Sequence, residues 1–361
     1  MNKNIIILPG DGIGPEVTRE ALKVIETIGT KYSHTFTFEE HLLGGSALEQ
    51  HGTPLPKETW NACTKAKVIF VGAVGDPKWD KNPVELRPEY GLKEIRVGLE
   101  LYANLRPIKL FPGLESMSPL KNEIASKGID IAIIRELTGG IYFGEKTLSM
   151  TEKDGEKATD LMSYTTMEIE RIGRRAFELA ETRRGILTSV DKANVLESSR
   201  LWRKVMHKLA LEFPEVKYND MYVDNAAMQI IKAPYSFDVL VTENMFGDIL
   251  SDEASILSGS LGLLPSASFS TNKTSLYEPV HGSAPDIAGT NQANPIAAIL
   301  SAAMMLRYSF NMQKEADDIE SSVEAVLRKG RRTADLIGEM PAVGTSEMGD
   351  EICSQIENSV I

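Results

Sequence analysis

Several short apolar runs in the middle of this chain each end on charged or amide side chains, and this repetition is the strongest constraint on its fold. Asp130 to Ile134 leads into Arg135 and Glu136, Gly185 to Val190 into Asp191 and Lys192, Met221 to Val223 into Asp224 and Asn225, and Phe237 to Val241 into Glu243. Short apolar runs without polar alternation read as strands buried on both faces, as in parallel sheets covered by helices. Ligands of open α/β sheets bind beyond the carboxyl ends of the strands. Charge delivered there repeatedly predicts an α/β protein with a polar site along one sheet edge, not a set of solvated faces.

The N-terminal part has the same build. Ile5 to Leu8 reads as a strand, a glycine-rich turn follows, and Pro15 takes a first helical position ahead of an apolar stripe at Val17, Ala21, Leu22, Val24, Ile25 and Ile28. Val68 to Val71 reads as a further strand, and Gly91 to Leu105 as a helix carrying Arg96, with Arg106 at its end. Pro107, Pro112 and Pro119 suggest a crossing between domains, and Gly259, Gly262 and Pro265 a crossing back. The expected organisation is a discontinuous domain, 1–106 with 260–361, holding an inserted domain, 107–259. A helix is expected from about Glu315 to Lys329, closed by Gly330. Pro295 to Phe310 is too short for a membrane span and carries Arg307, so it reads as a buried or interface helix.

The stretch Thr242 to Gly259, TENMFGDILSDEASILSG, places Asp248 and Asp252 four residues apart, hence on one helix face, with Ile249, Ile256 and Leu257 expected to anchor it. Like charges so spaced repel, leaving two readings open: both are simply solvated, or a cation sits over them. A net charge of −12 argues against a general nucleic-acid or anionic-membrane binder and means that an anionic substrate needs local arginines. Cys63 and Cys353 form neither a disulfide framework nor a zinc pattern, which fits a reducing cytosol. The turn Gly10-Asp-Gly12-Ile-Gly14-Pro15 mimics a dinucleotide fingerprint, but Pro15 replaces the third glycine and Asp11 would set a carboxylate beside a pyrophosphate, so a Rossmann site is disfavoured.

Longer segments carry a resemblance: GDGIGPE (10–16), RPEYGLKEIR (87–96), YANLRP (102–107), RELTGGIYFGE (135–145), SVDKANVLESSRLWR (189–203), DNAAMQ (224–229), NMFGDILSDEAS (244–255) and EPVHGSAPDIAGTNQANP (278–295). Together they resemble the β-hydroxyacid oxidative decarboxylases, the isocitrate/isopropylmalate dehydrogenase family, over nearly the whole chain. The resemblance implies a two-domain α/β fold with a central mixed sheet flanked by helices, not a Rossmann fold. It also implies a cytoplasmic, NAD-dependent enzyme that oxidises and decarboxylates a malate-type substrate. The one departure is KTLSM after Glu145, where the family continues Pro-Arg-Gly.

The residue chemistry agrees with that implication. Arg96, Arg106 and Arg135 are planar forks suited to a dicarboxylate. Asp224, Asp248 and Asp252 offer oxygen ligands only, which suits Mg²⁺ or Mn²⁺. The resemblance makes Lys192 the base for the substrate hydroxyl, Tyr142 the acid for the enol carbon, and the protein a homodimer in which Lys192 and Asp224 cross the interface. It lays NAD along Ile13, Gly75, Glu278, His281, Gly282, Ser283, Ala284, Pro285, Asp286, Ile287 and Asn294. Asp286 followed by Ile287 stands where NADP-using isocitrate members carry lysine and tyrosine, and a carboxylate repels a 2′-phosphate. Substrate choice within the family falls to Glu89 and Leu92, with Val195 from the partner subunit. Their apolar and acidic character suits the isopropyl group of 3-isopropylmalate, an intermediate of leucine biosynthesis, over a third carboxylate. Tartrate/malate, homoisocitrate or isocitrate chemistry is the alternative within the family. Outside it, a Mg²⁺-dependent lyase or phosphoryl-transfer enzyme would use the three acids and the lysine without NAD, and a non-catalytic binding module would have no use for Lys192 and Tyr142.

Overall fold

The computed structural model describes residues 3–151, 155–336 and 341–359. The chain forms two compact units, Met1–Leu101 with Lys109–Asn122 and Ser255–Ile361, and Tyr102–Ile108 with Glu123–Ala254. Residues 109–122, placed in the inserted domain from the proline spacing, thus cluster with the terminal segments.

The first stretch contains β1 (Lys3–Gly10), α1 (Gly14–Tyr32), β2 (Phe36–Glu40), α2 (Gly45–His51), α3 (Lys57–Lys65), β3 (Val68–Ala73) and α4 (Pro88–Gly98). The inserted stretch contains β4 (Ala103–Lys109), α5 (Asn122–Ala125), β5 (Asp130–Glu136), β6 (Lys146–Thr151), β7 (Gly155–Asp160), α6 (Thr166–Glu181), β8 (Ile186–Asp191), α7 (Glu197–Ala210), β9 (Lys217–Tyr222), α8 (Val223–Lys232), β10 (Val239–Thr242) and α9 (Asn244–Ser255). The return adds β11 (Pro265–Phe269), β12 (Ser275–Pro279), α10 (Ile296–Phe310), α11 (Gln313–Arg328) and α12 (Thr345–Asn358).

In the first unit the strand order is β2-β1-β3-β12-β11. β1 runs parallel to β2 and β3, β12 parallel to β3, and β11 antiparallel to β12, so the sheet is mixed and not Rossmann-like. α10 is buried from Ile296 to Leu306. Its sequence, apolar on every face, is what a helix enclosed by α1, α11 and the sheet requires. In the second unit the order is β4-β5-β10-β8-β9, with β10 parallel to both β5 and β8, and β8 parallel to β9. A capping box closes the start of α6: the Thr165 side chain accepts from the Glu168 amide while Glu168 accepts from the Thr165 amide, an arrangement worth about 1 kcal/mol.

Three local expectations are corrected. The helix through Arg96 stops at Gly98, Glu100 turns with φ 53°, and Ala103–Lys109 is a strand, so Arg106 sits on β4 and not at a helix end. Val223, read as the last residue of a strand, opens α8, so Asp224 lies just past the end of β9 in the first helical turn, where its charge faces the positive end of the helix dipole. On α9, Phe246, Leu250 and Ala254 are the buried apolar residues, with Leu257 just beyond, whereas Ile249 and Ile256 are 59% and 57% exposed. The KTLSM departure forms β6, which pairs with β7 as an exposed antiparallel hairpin.

Candidate active site

β5 and β10 lie side by side with Thr242 opposite Arg135. That register brings Arg135, at the end of one strand, next to Glu243 and Asn244, which lead from the other into α9. The Glu243 carboxylate accepts from the amides of Met245 (3.0 Å) and Phe246 (2.9 Å), satisfying first-turn donors of α9. Asn244 Oδ1 accepts from Arg135 Nε at 3.0 Å and Nη2 at 2.7 Å. Arg135 Nη1 donates to Asp248 on the same helix. Gly247 is what permits this, because a Cβ there would lie 2.6 Å from Arg135 Cγ.

Asp248 has a second partner, since the Tyr142 hydroxyl donates to its Oδ2 at 2.9 Å. Desolvation, and then the Asp248 carboxylate, push the Tyr142 phenol above its ordinary value, so it holds its proton. One turn on, Asp252 Oδ1 meets Arg106 Nη1 at 3.1 Å, while the same guanidinium donates to Ser251 (2.8 Å) and Asn104 (2.9 Å). The question left open by the spacing of Asp248 and Asp252 has a structural answer: each acid has a guanidinium beside it. Their side chains keep 35% and 69% exposure, so carboxylate oxygens remain accessible to a ligand.

A second polar group stands at the ends of β8 and β9. Lys192 Nζ donates to Asp224 Oδ1 at 2.6 Å, and this contact holds the Asp224 carboxyl below its usual range. Behind Lys192, buried Asp191 takes Nε and Nη2 of Arg203 at 2.9 and 2.8 Å. The sequence grouped Asp224 with Asp248 and Asp252. Among the described residues of one chain, however, no three acids, histidines or cysteines come close enough to hold an ion.

The residues expected to hold a dinucleotide fall in the first unit. The amide of Ile13 donates to Ser283 O at 2.7 Å, which seats the 281–287 loop on the turn before α1. A Cβ at Gly75 would lie 2.8 Å from Glu89 Oε1 and 3.7 Å from Ser283 Oγ, so Ile13, Gly75, Ser283 and Glu89 are neighbours. Asp11 has a structural role, its carboxylate accepting from the amides of Gly45, Ser46 and Gly75. Arg96 is paired with Glu278 at 2.5 Å. His281 leaves Nε2 shielded with no hydrogen-bond partner among the described residues, and burial lowers its pKa. Asn294 bonds Asp335 through Nδ2 at 3.0 Å and the amide of Ile296 through Oδ1 at 3.0 Å, so its side chain already caps α10. Gly282, Pro285 and Asp286 are exposed, and Ala284 and Ile287 are half-buried. Leu92 is half-buried against the cluster of Ile6, Leu43 and Ile95, and Val195 on the second unit is 60% exposed.

Sequence reasoning passed over Asn104, Asn244 and Ser251, the polar residues that hold the arginines. Asn244 had a usable signal, an amide placed directly between a strand end and a helix start.

The sequence model of the isocitrate/isopropylmalate dehydrogenase family matches residues 4–352. The chain belongs to that family. Among its relatives, a 3-isopropylmalate dehydrogenase of Bacillus licheniformis is 59% identical over 337 residues, covering 93% of this chain and 91% of the relative. One of Geobacillus kaustophilus is 57% identical, covering 100% and 96%. The solved isocitrate dehydrogenase of Methylococcus capsulatus matches with a TM-score of 0.85 at 34% identity, covering 99% and 100%. As a member of the isocitrate/isopropylmalate dehydrogenase family the chain is an oxidoreductase acting on a small molecule. Among its described residues, no helix is long and apolar enough to cross a membrane.

Proposed function

We propose that this enzyme oxidises and decarboxylates (2R,3S)-3-isopropylmalate to 4-methyl-2-oxopentanoate and CO₂ with NAD⁺, in leucine biosynthesis in the cytoplasm. The observation that carries the reading is the cluster of Arg135, Asp248 and Tyr142, in which an anion-binding fork, an oxygen ligand and a protonated phenol meet at adjacent strand ends. The names of the relatives point to the same substrate.

The donor chemistry fits a hard divalent cation, because Asp248 and Asp252 present carboxylate oxygens, and among the described residues no histidine or cysteine clusters with them. Asp248 and Asp252 of one chain, with Asp224 of a second copy, would hold Mg²⁺ or Mn²⁺. Ile13, Gly75, Glu278 and the 281–287 loop, with Asn294, would hold NAD, and the shielded, unpartnered Nε2 of His281 fits a ligand that supplies a polar atom. When bound, the cation supplies Lewis-acid polarisation of the substrate hydroxyl and NAD⁺ accepts the hydride.

The side chains do the rest. Arg106 and Arg135, now paired with Asp252 and Asp248, turn their forks to the substrate carboxylates, joined by Arg96. Lys192 in its neutral form takes the hydroxyl proton, and Asp224 pairs with the ammonium that results. Once C2–H has left as hydride, the C3 carboxylate leaves as CO₂, the electron pair of the broken C–C bond forms an enolate, and Tyr142 delivers a proton to C3 to give the ketone, its phenolate regaining a proton from water. Leu92 and Val195 face the isopropyl group, whose burial is worth roughly 1.5–3 kcal/mol, while Glu89 repels a third carboxylate.

The working unit is a homodimer. What supports it is that Lys192 and Asp224 form their own pair apart from the aspartates of α9, while Ile249, Met228 and Val195 of the same unit leave 59–60% of their surface to water. Initial rates of NAD⁺ reduction with 3-isopropylmalate, isocitrate and tartrate test the assignment: the first should lead by orders of magnitude, and comparable efficiency on another would overturn it.

A further inference from the structure

Behind the Arg135–Asp248–Tyr142 cluster lies a buried polar node that the chemistry above does not use. Tyr164, 8% exposed, takes the backbone N–H of Asn244 on its hydroxyl at 3.0 Å and stands 3.3 Å from Glu136 Oε2 and 3.4 Å from Glu243 Oε2. Both carboxylates are themselves anchors. Glu136 accepts from the amides of Thr138 (3.1 Å) and Gly139 (2.7 Å), at the start of the turn that ends on Tyr142. Glu243 caps α9, which carries Asp248 and Asp252.

The Tyr164 ring is fixed as firmly as its hydroxyl. A Cβ at Gly139 would come within 2.8 Å of the ring, and one at Gly140 (φ 74°) within 2.4 Å of the hydroxyl, so the turn lies directly on the tyrosine. Trp202 packs edge-on against it, centroids 5.7 Å apart. Asn244 closes the loop: Oδ1 holds Arg135, and Nδ2 donates to Gly139 O at 3.0 Å. A single hydroxyl and a single amide therefore tie the turn bearing Tyr142 to the helix bearing its partner Asp248.

We propose that Tyr164, with Asn244, is a positioning residue that sets the Tyr142 hydroxyl against α9 and so governs proton delivery to the enol carbon. This rests on the reading of Tyr142 as the acid, and it adds residues that touch neither substrate nor cofactor. Proton transfer is the step most sensitive to such a brace, because donor and acceptor must meet within hydrogen-bond reach.

The test compares Tyr164→Phe and Asn244→Asp with Tyr142→Phe in the full-length enzyme, using NAD⁺, Mg²⁺ and 3-isopropylmalate. Tyr164→Phe keeps the ring on the turn and removes only the hydroxyl. Asn244→Asp keeps the acceptor for Arg135 and removes the donor to Gly139, so it answers the question if the tyrosine variant folds poorly. The expected result is a kcat roughly tenfold lower in each, with a larger solvent deuterium isotope effect than wild type, as in Tyr142→Phe. A lowered thermal midpoint with wild-type kcat and isotope effect would make Tyr164 and Asn244 merely structural and overturn the proposal while leaving Tyr142 as the acid. Wild-type behaviour of Tyr142→Phe would overturn the reading of Tyr142 and, with it, the brace.

Discussion

Lys192 and Asp224 form an ion pair at 2.6 Å between the end of β8 and the first turn of α8, while the aspartates of α9 pair with Arg106 and Arg135. In the homodimer proposed above, a second copy would join these two halves of the site. Lys192→Ala and Asp248→Asn homodimers should each be nearly inactive. Mixed after reversible dissociation, they should recover about a quarter of wild-type activity, because half of the dimers are mixed and each of those has one intact site. No recovery in a mixture shown to have exchanged subunits would place the whole site within one chain.

Activity should vanish on exhaustive chelation and return with Mg²⁺ or Mn²⁺. Asp248→Asn should weaken metal binding, measured by titration calorimetry. The pairing of Asp248 with Arg135 also changes what its spacing from Asp252 suggests about stability. Removal of its charge weakens one of the bonds to a buried guanidinium that Asn244 also holds, so a loss of about 1 kcal/mol is expected instead of relief from repulsion. Calorimetric unfolding of the variant without metal checks the sign.

Tyr142→Phe should leave hydride transfer partly intact and slow protonation of the enol, seen as NADH formed in a burst ahead of ketone release. The pH dependence follows from the raised phenol. A tyrosine whose pKa lies above its ordinary value of about 10 stays protonated through neutral and mildly alkaline pH. No alkaline loss of rate below that value should therefore depend on Tyr142, and an alkaline limb below it that disappears in Tyr142→Phe would contradict the raised phenol while leaving Tyr142 as the acid.

The strand ends that deliver Arg135, Lys192 and Glu243 were legible because apolar runs closed by charge are local signals, and the long motifs carried the family. What failed was decided by packing. From Leu99 to Leu105 the residues favour a helix well enough, and only the turn at Glu100 and the neighbouring strands make Ala103–Lys109 extended. Ile249 and Ile256 look like core residues by composition, yet α9 buries the Phe246, Leu250 and Ala254 face. Arginine pairing of Asp248 and Asp252 depends on strands distant in sequence, which no local spacing encodes.

The enzyme should prefer NAD⁺ to NADP⁺, since exposed Asp286 would accept from a ribose 2′-hydroxyl and repel a 2′-phosphate. Asp286→Lys should narrow the ratio of kcat/KM for the two cofactors by at least about tenfold. An unchanged ratio would mean that discrimination lies elsewhere.

The most direct measurement follows NADH and CO₂ together as purified enzyme consumes 3-isopropylmalate with NAD⁺ and Mg²⁺. An Arg135–Asp248–Tyr142 site working with Lys192 of a second copy predicts one NADH and one CO₂ for each 4-methyl-2-oxopentanoate. NADH without CO₂, or consumption of substrate with neither product, would contradict it.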